Sequence, residues 1–138
     1  MRVAVVYFSG KNRDKFRELA RGLARGIEKQ GNQVDVFDGE RDGNVKLTIY
    51  QYIVIGVEPS GAFSGRIPDA VRAFLAGSGV VSGKKSYAFV SRATFGTAKT
   101  LTSLMKGMEG EGMFLKNSDI LRSPVEAEEI GKRLHIQP

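Results

Sequence analysis

Short runs of apolar residues that do not alternate with polar ones constrain this chain more than any other feature. Val3–Phe8 is one such run, and Tyr52–Val57 is a second. A strand with one solvated face would alternate, so an uninterrupted run indicates a strand covered on both faces, as in a parallel sheet. Further strands are predicted at Val34–Phe37, at Ser86–Ser91 and beginning at Met113–Leu115. The sequence therefore predicts a sheet of five short strands.

The first and last helices have clear sequence signals. Between residues 12 and 30, apolar residues recur at helical spacing, with Asn12 as a predicted N-cap and Gly31 where the helix should end. Near the C-terminus, Ser123, Pro124 and Glu126 form the N-cap, N1 and N3 positions of a capping box. Both segments are predicted to be helices that pack on the sheet.

The middle of the chain has weaker helical patterns. One begins with Pro68 at its N1 position, and another begins near Thr97 or Thr100, either of which could be its N-cap, while residues 39–49 predict a weak helix at best. Strands that alternate with helices indicate an α/β fold, a three-layer α/β/α sandwich in which residues 1–138 form one domain. Ligands of such sheets bind beyond the carboxyl ends of the strands, which selects the segments after the first, third and fourth strands.

The segment after the first strand could hold a phosphate. It reads Ser9-Gly10-Lys11-Asn12-Arg13 and leads directly into the first helix. A helix N-terminus offers unpaired N–H groups and partial positive charge, to which Lys11 and Arg13 add full charges. The alternative is an ordinary strand-to-helix turn with a capping Asn. The segment matches neither a Walker loop nor a GxGxxG motif, so both readings stay open.

The other two segments each carry one aromatic residue. Residues 56–71, "GVEPSGAFSGRIPDAV", are rich in glycine with Phe63 at the centre, and residues 91–100, "SRATFGTAKT", contain Phe95. Aromatic side chains on neighbouring loops could hold a planar heterocycle between them, while backbone groups bond its edge. Phe63 could instead pack beneath its own loop.

The layout resembles the flavodoxin-like family in its small single-domain form, over essentially the whole chain. The matching segments are "VAVVYFSG", "YIVIGVEPSGAFSGRIPDAVRAFL" and "KKSYAFVSRATFGTAKTL". The resemblance implies a five-stranded parallel sheet of order 2-1-3-4-5 and an FMN cofactor. It implies that the phosphate of FMN faces Ser9, Gly10, Lys11, Asn12 and Arg13. It implies that the isoalloxazine ring lies between Pro59, Ser60, Gly61, Ala62 and Phe63 on one side and Thr94, Phe95 and Gly96 on the other.

The predicted phosphate loop departs from the family pattern. That pattern is Ser/Thr-x-Thr-Gly-x-Thr, whereas "SGKNRD" is about one residue shorter and lacks both threonines. Two functions follow. The first is an FMN-binding redox protein, acting in electron transfer or as a small quinone- or flavin-type reductase. The second is a flavodoxin-fold protein without flavin, an interaction module that engages a partner through the basic helix at residues 12–30.

The chain is basic, with a net charge of +6 and a pI of about 9.7. Part of this charge lies on a basic stripe, defined as Arg13, Arg17, Arg21, Arg25 and Lys29. The stripe is either a solvated helix exterior or a docking surface for an acidic protein, anionic lipid or nucleic acid. The one aromatic residue between its arginines, Phe16, belongs to the apolar positions of the predicted helix, so specific nucleic-acid binding is not predicted. Charge complementarity favours a dedicated, acidic redox partner protein.

Few residues are available for catalysis by the protein itself. There is no cysteine, and the single histidine, His135, lies near the end of the chain, which argues against a catalytic triad or a zinc site. Asp35, Asp38 and Asp119 are interpreted as turn or cap residues, so no catalytic or metal-binding residue is predicted. The N-terminal apolar run is too short for a signal peptide and no segment is long enough to span a membrane, so a cytoplasmic protein is expected.

Overall fold

A computed structural model describes residues 1–60 and 66–136 of the chain. The elements follow the order β1 (Arg2–Phe8), α1 (Arg13–Glu28), β2 (Gln33–Asp38), β3 (Tyr52–Val57), α2 (Asp69–Gly77), β4 (Lys85–Ser91), α3 (Thr97–Gly110), β5 (Phe114–Leu121) and α4 (Pro124–Arg133). All strand pairs are parallel, and the sheet order is β2-β1-β3-β4-β5. The predicted fold class and strand order are confirmed.

The central strands are the most apolar because both of their faces are covered. Every residue of β3 is buried, and β1 is buried from Val3 onward. The two strands pair in register from Val3 opposite Tyr52 to Phe8 opposite Val57. Their carboxyl ends therefore lie side by side, and the loop after β1 meets the loop after β3.

Helices cover the sheet on both faces. On one face, α1 and α4 pack against inward-facing residues of the strands, and Phe16 of α1 lies against Phe89 of β4 with ring centroids 5.6 Å apart. On the other face, α2 and α3 contribute residues such as Phe74 and Leu104 to a second apolar cluster. This arrangement is the predicted three-layer sandwich.

Helices α1 and α4 approach each other closely because glycines lie where they cross. A Cβ atom on Gly26 would overlap the carbonyl oxygen of Glu128 and lie 2.8 Å from the Cα of Gly131. A Cβ on Gly22 would lie 2.5 Å from the carbonyl oxygen of Pro124. The two helix backbones are thus in direct contact, which fixes the start of α4 beside α1.

The helix starts agree with the sequence signals in two cases and differ in two. Pro68 is the N-cap of α2 and not its N1 residue, since the helix begins at Asp69. Asn12 is at the N-cap of α1, although its side chain makes no capping hydrogen bond. Ser123 caps α4, and its Oγ accepts a hydrogen bond of 3.1 Å from the N–H three residues on. For α3, the expected caps Thr97 and Thr100 are wrong, since the N-cap is Gly96 with φ of +76°. Glycine adopts this left-handed conformation without the steric cost that threonine would incur.

The weak helix considered for residues 39–49 is absent, because turns occupy that segment. The Asp38 carboxylate accepts hydrogen bonds from the backbone N–H groups of Glu40 and Arg41, at 3.0 and 3.3 Å. Farther along, the Lys84 ammonium donates to the backbone carbonyls of residues 47, 48 and 50. These side chains satisfy the backbone groups that a helix would otherwise have paired.

Within residues 1–60 and 66–136, every helix is too short or too polar to cross a lipid bilayer.

Candidate functional site

A cleft of about 770 Å³ opens at the carboxyl edge of the sheet, on the face covered by α1 and α4. Its walls come from the first turns of α1 and α4 and from the residues that follow β3, β4 and β5. The apolar part of the lining is Phe16, Leu19, Ala93, Leu121 and Pro124. The polar part is Asn12, Lys15, Glu58, Ser91, Arg92, Thr94 and Arg122. The cleft therefore combines a polar rim with a small apolar wall, whose accessible part is Ala93 and Pro124, since Phe16, Leu19 and Leu121 are almost fully buried.

The rim of the cleft has an excess of positive charge. Lys15, Arg92 and Arg122 line it, against the single carboxylate of Glu58. In the part of the chain that the structure describes, none of these three cationic side chains forms an ion pair. Cations without partners beside an apolar wall favour a ligand that is anionic or rich in hydrogen-bond acceptors.

The expected phosphate loop already holds a carboxylate. Oε1 of Glu58 accepts hydrogen bonds from the backbone N–H groups of Gly10, at 2.5 Å, and Asn12, at 3.3 Å. Ser9 is buried, and its Oγ has no hydrogen-bond partner among the described residues. The N–H groups that the resemblance assigns to a phosphate are thus bound to a side chain of the protein itself.

The two cationic residues of this loop are placed differently. Lys11 is exposed, whereas Nε of Arg13 lies 4.0 Å from Oδ2 of Asp38, a carboxylate that is itself buried. Neither residue lines the cleft. With Glu58 in its observed position, the loop does not fit the phosphate of FMN, because a second anion would have to share the same N–H donors.

The two loops expected around the ring contribute less to the cleft than predicted. Thr94 lines it, while Phe95 is 49% exposed and lies outside the lining, and Gly96 is the N-cap of α3. Pro59 is buried and Ser60 is exposed. Three residues of the prediction lie outside the described part of the chain: Gly61, Ala62 and Phe63. A pair of aromatic side chains around a planar ring stays a prediction.

Several cleft residues were not singled out from the sequence. Arg122 and Pro124 follow β5, whose carboxyl end the sequence pattern did not locate. Lys15 and Phe16 lie in the first turn of α1, where the pattern indicated a basic residue and a core residue but not a shared cleft. The signal that could have found them is general: the carboxyl ends of parallel strands and the helix N-termini that follow them lie at one edge of a sheet.

The basic stripe is surrounded by carboxylates, since each of its five side chains lies within 4.0 Å of one. Arg25 and Lys29 both contact Glu128 of α4, at 3.2 and 3.1 Å. Hydrogen bonds from Lys29 and Arg25 lower the pKa of the Glu128 carboxyl. Much of the stripe therefore meets acidic side chains of the same chain, and its role in docking stays a prediction.

The acidic residues considered for catalysis have structural partners. Asp35 accepts a hydrogen bond of 2.6 Å from the Tyr50 hydroxyl, and Asp119 accepts one of 2.8 Å from Tyr87. Burial, together with the bond to Asp119, raises the pKa of Tyr87. Asp38 is the turn residue that was predicted, whereas Asp35 and Asp119 lie within β2 and β5, so the turn or cap interpretation is wrong for those two. In residues 1–60 and 66–136, no group of three or more His, Cys, Asp or Glu side chains could hold a metal ion.

Comparison with solved structures supports the fold, whereas comparison with family models and with curated proteins finds no match. No protein-family model matches the sequence, and no curated protein matches it. Among solved structures, flavodoxin 1 from Bacillus cereus is 20% identical, with a TM-score of 0.73 over 97% of this chain and 99% of that one. A flavodoxin from the domain Archaea is 21% identical, with a TM-score of 0.71 over 96% and 94%. Megasphaera elsdenii flavodoxin is 18% identical, with a TM-score of 0.67 over 94% and 96%. The chain has a flavodoxin-like fold.

Proposed function

We propose that this protein binds a flavin in the cleft at the carboxyl edge of the sheet and acts as a redox protein, in electron transfer or as a small reductase. FMN is the flavin that the resemblance implies. The observation that carries the proposal is the cleft itself, which opens between the start of α1 and the residues that follow β3, β4 and β5, at the carboxyl edge where ligands of such sheets bind.

The dimensions and lining of the cleft support a ligand of this class. Its volume of about 770 Å³ falls within the range of about 300–1,000 Å³ that is usual for small-molecule sites. Ala93 and Pro124, which are half-buried, supply apolar surface for a planar ring, and Ser91 and Thr94 supply hydroxyl groups at the rim. Amphipathic heterocycles use both kinds of contact.

The residues of the protein would bind and orient the flavin rather than take part in bond making. The flavin ring carries the redox chemistry of proteins in this class. Lys15, Arg92 and Arg122 would favour the reduced, electron-rich ring by charge. With a net charge of +6, the protein would dock an acidic redox partner more readily than a basic one.

A second candidate is the flavin-free interaction module. The contact of Glu58 with the loop after β1 favours it, since that contact occupies the expected phosphate position. The basic stripe, through which such a module would act, favours it less, because its side chains already have carboxylate partners.

Flavin titration with a matched pair of variants tests the proposal. Ala93→Leu adds bulk inside the cleft, whereas Ala76→Leu adds the same bulk on the exposed side of α2. Flavin fluorescence should be quenched at micromolar concentration by the wild type and by the control. Ala93→Leu should weaken binding about 5- to 150-fold, which is the factor that corresponds to an overpacking cost of about 1–3 kcal/mol. If the wild type quenches the fluorescence of neither FMN nor riboflavin, the flavin proposal is refuted.

A further inference from the structure

The carboxylate on the loop after β1 is held there by the sheet. The N–H of Glu58 donates to the carbonyl oxygen of Phe8, the last residue of β1, at 2.9 Å, so the β1–β3 pairing continues one residue beyond β3. This pairing places the Glu58 side chain at the start of α1. The contact of its Oε1 with Gly10 and Asn12 is therefore set by strand register as well as by charge.

Glu58 uses the donors that a phosphate would need. Two backbone N–H groups, of Gly10 and Asn12, converge on one carboxylate oxygen at the N-terminus of a helix of 16 residues. Converging N–H groups of this kind bind anions through their partial positive charge. A phosphate oxygen and Oε1 of Glu58 cannot occupy the same position, and both groups are negative, so each excludes the other.

The remaining groups of the loop do not offset this exclusion. Arg13 is directed to Asp38, at 4.0 Å, and Lys11 is exposed to solvent. The buried Ser9 hydroxyl has no partner in the part of the chain that the structure describes. The three cations of the cleft line its rim together with Glu58, and the N–H groups of Gly10 and Asn12 already have Glu58 as their acceptor.

From these contacts we infer that Glu58 is a built-in substitute for the flavin phosphate, so the cleft takes a flavin without a phosphate, of the riboflavin type, in preference to FMN. The inference rests on the proposed flavin function. Glu58 is a specificity-determining residue: its charge excludes the phosphate and leaves the ring-binding part of the cleft unchanged.

The first test compares the two flavins. The wild type should bind riboflavin at least about tenfold more tightly than FMN, a difference of about 1.4 kcal/mol. Glu58→Gln and Glu58→Ala should each raise the affinity for FMN relative to that for riboflavin about tenfold. The control is Glu109→Ala, which removes the same charge from the exposed end of α3 at the opposite edge of the sheet and should leave the ratio unchanged. Tighter binding of FMN than of riboflavin by the wild type would overturn the inference and leave the flavin function intact.

The second test needs no flavin and separates the inference from the proposed function. Inorganic phosphate is titrated into each protein while the amide NMR signals of Gly10 and Asn12 are followed. Millimolar phosphate should leave these signals unmoved in the wild type and in Glu109→Ala, and shift them saturably in Glu58→Ala. Equal responses of wild type and Glu58→Ala would overturn the inference. A response confined to Glu58→Ala, in a protein that binds no flavin, would refute the flavin function but uphold the exclusion of phosphate by Glu58.

Discussion

Substitution of Gly26 by alanine probes the contact that fixes the distance between α1 and α4. In the folded protein, the new methyl group would overlap the carbonyl oxygen of Glu128 and lie 2.8 Å from both the Cα of Gly131 and the backbone nitrogen of Lys132. All three neighbours are backbone atoms, so no side chain can rotate away. The helices must separate, or α4 must shift along the sheet.

The magnitude follows from two opposing effects. Forcing an extra methyl group into a packed contact costs about 1–3 kcal/mol, and a rigid backbone on the opposing side favours the upper part of that range. Alanine in a helix is more stable than glycine by about 0.5–1 kcal/mol, because it loses less conformational freedom when the helix forms, and this gain offsets part of the cost. The free energy of unfolding should therefore fall by about 1–2 kcal/mol. For a domain of this size, that loss lowers the melting temperature by about 3–8 °C.

Urea denaturation followed by circular dichroism measures this change. The control is Gly110→Ala at the end of α3, where an added Cβ meets no heavy atom within 4 Å. It should leave the stability unchanged or raise it slightly. If Gly26→Ala is as stable as the wild type, or as stable as the control, the close backbone contact between α1 and α4 is wrong.

Two further predictions concern other buried polar groups. Burial and the hydrogen bond to Asp35 raise the pKa of Tyr50 to about 12, from 10.0. The protonated Tyr50 hydroxyl therefore stabilises the folded protein fully below pH 10, and this stabilisation is lost as the pH rises toward 12. Tyr50→Phe should flatten the decline in unfolding free energy over that interval. Lys84→Met removes the ammonium that donates to the carbonyls of residues 47, 48 and 50. It should lower the free energy of unfolding, measured by urea denaturation, by about 2 kcal/mol. The control Lys106→Met, on the exposed side of α3, should lower it little, and equal losses would contradict the role given to Lys84.

The central strands could be predicted from the sequence because their environment is uniform. Tyr52–Val57 is buried along its whole length, so its apolar run and its strand have the same bounds. The edge strand β5 has a different environment, with a neighbour on one side only, and exposed residues such as Phe114 and Ile120. Its sequence carries no clear period, so only its beginning was predicted, and the residues that follow it were missed as part of the cleft.

The candidate site was harder to predict because it depends on contacts between distant parts of the chain. The loop after β1 was recognised as an anion site from local features, namely a strand, a glycine and a helix N-terminus. That Glu58 fills it depends on the β1–β3 register and on the direction of one side chain, which no local pattern specifies. Gly22 and Gly26 were visible as small residues one helical turn apart, yet only the structure shows that α4 packs on them.

Amide NMR spectra of the wild-type protein, recorded during a titration with riboflavin, test the proposed flavin site most directly. The signals of Asn12, Ala93 and Thr94, which line the cleft, should shift saturably at micromolar riboflavin. The signals of Gly77 and Gly110, at the ends of α2 and α3, should not move. Shifts at the glycines alone, or no saturable shift at any cleft residue with riboflavin or with FMN, would contradict a flavin site in this cleft.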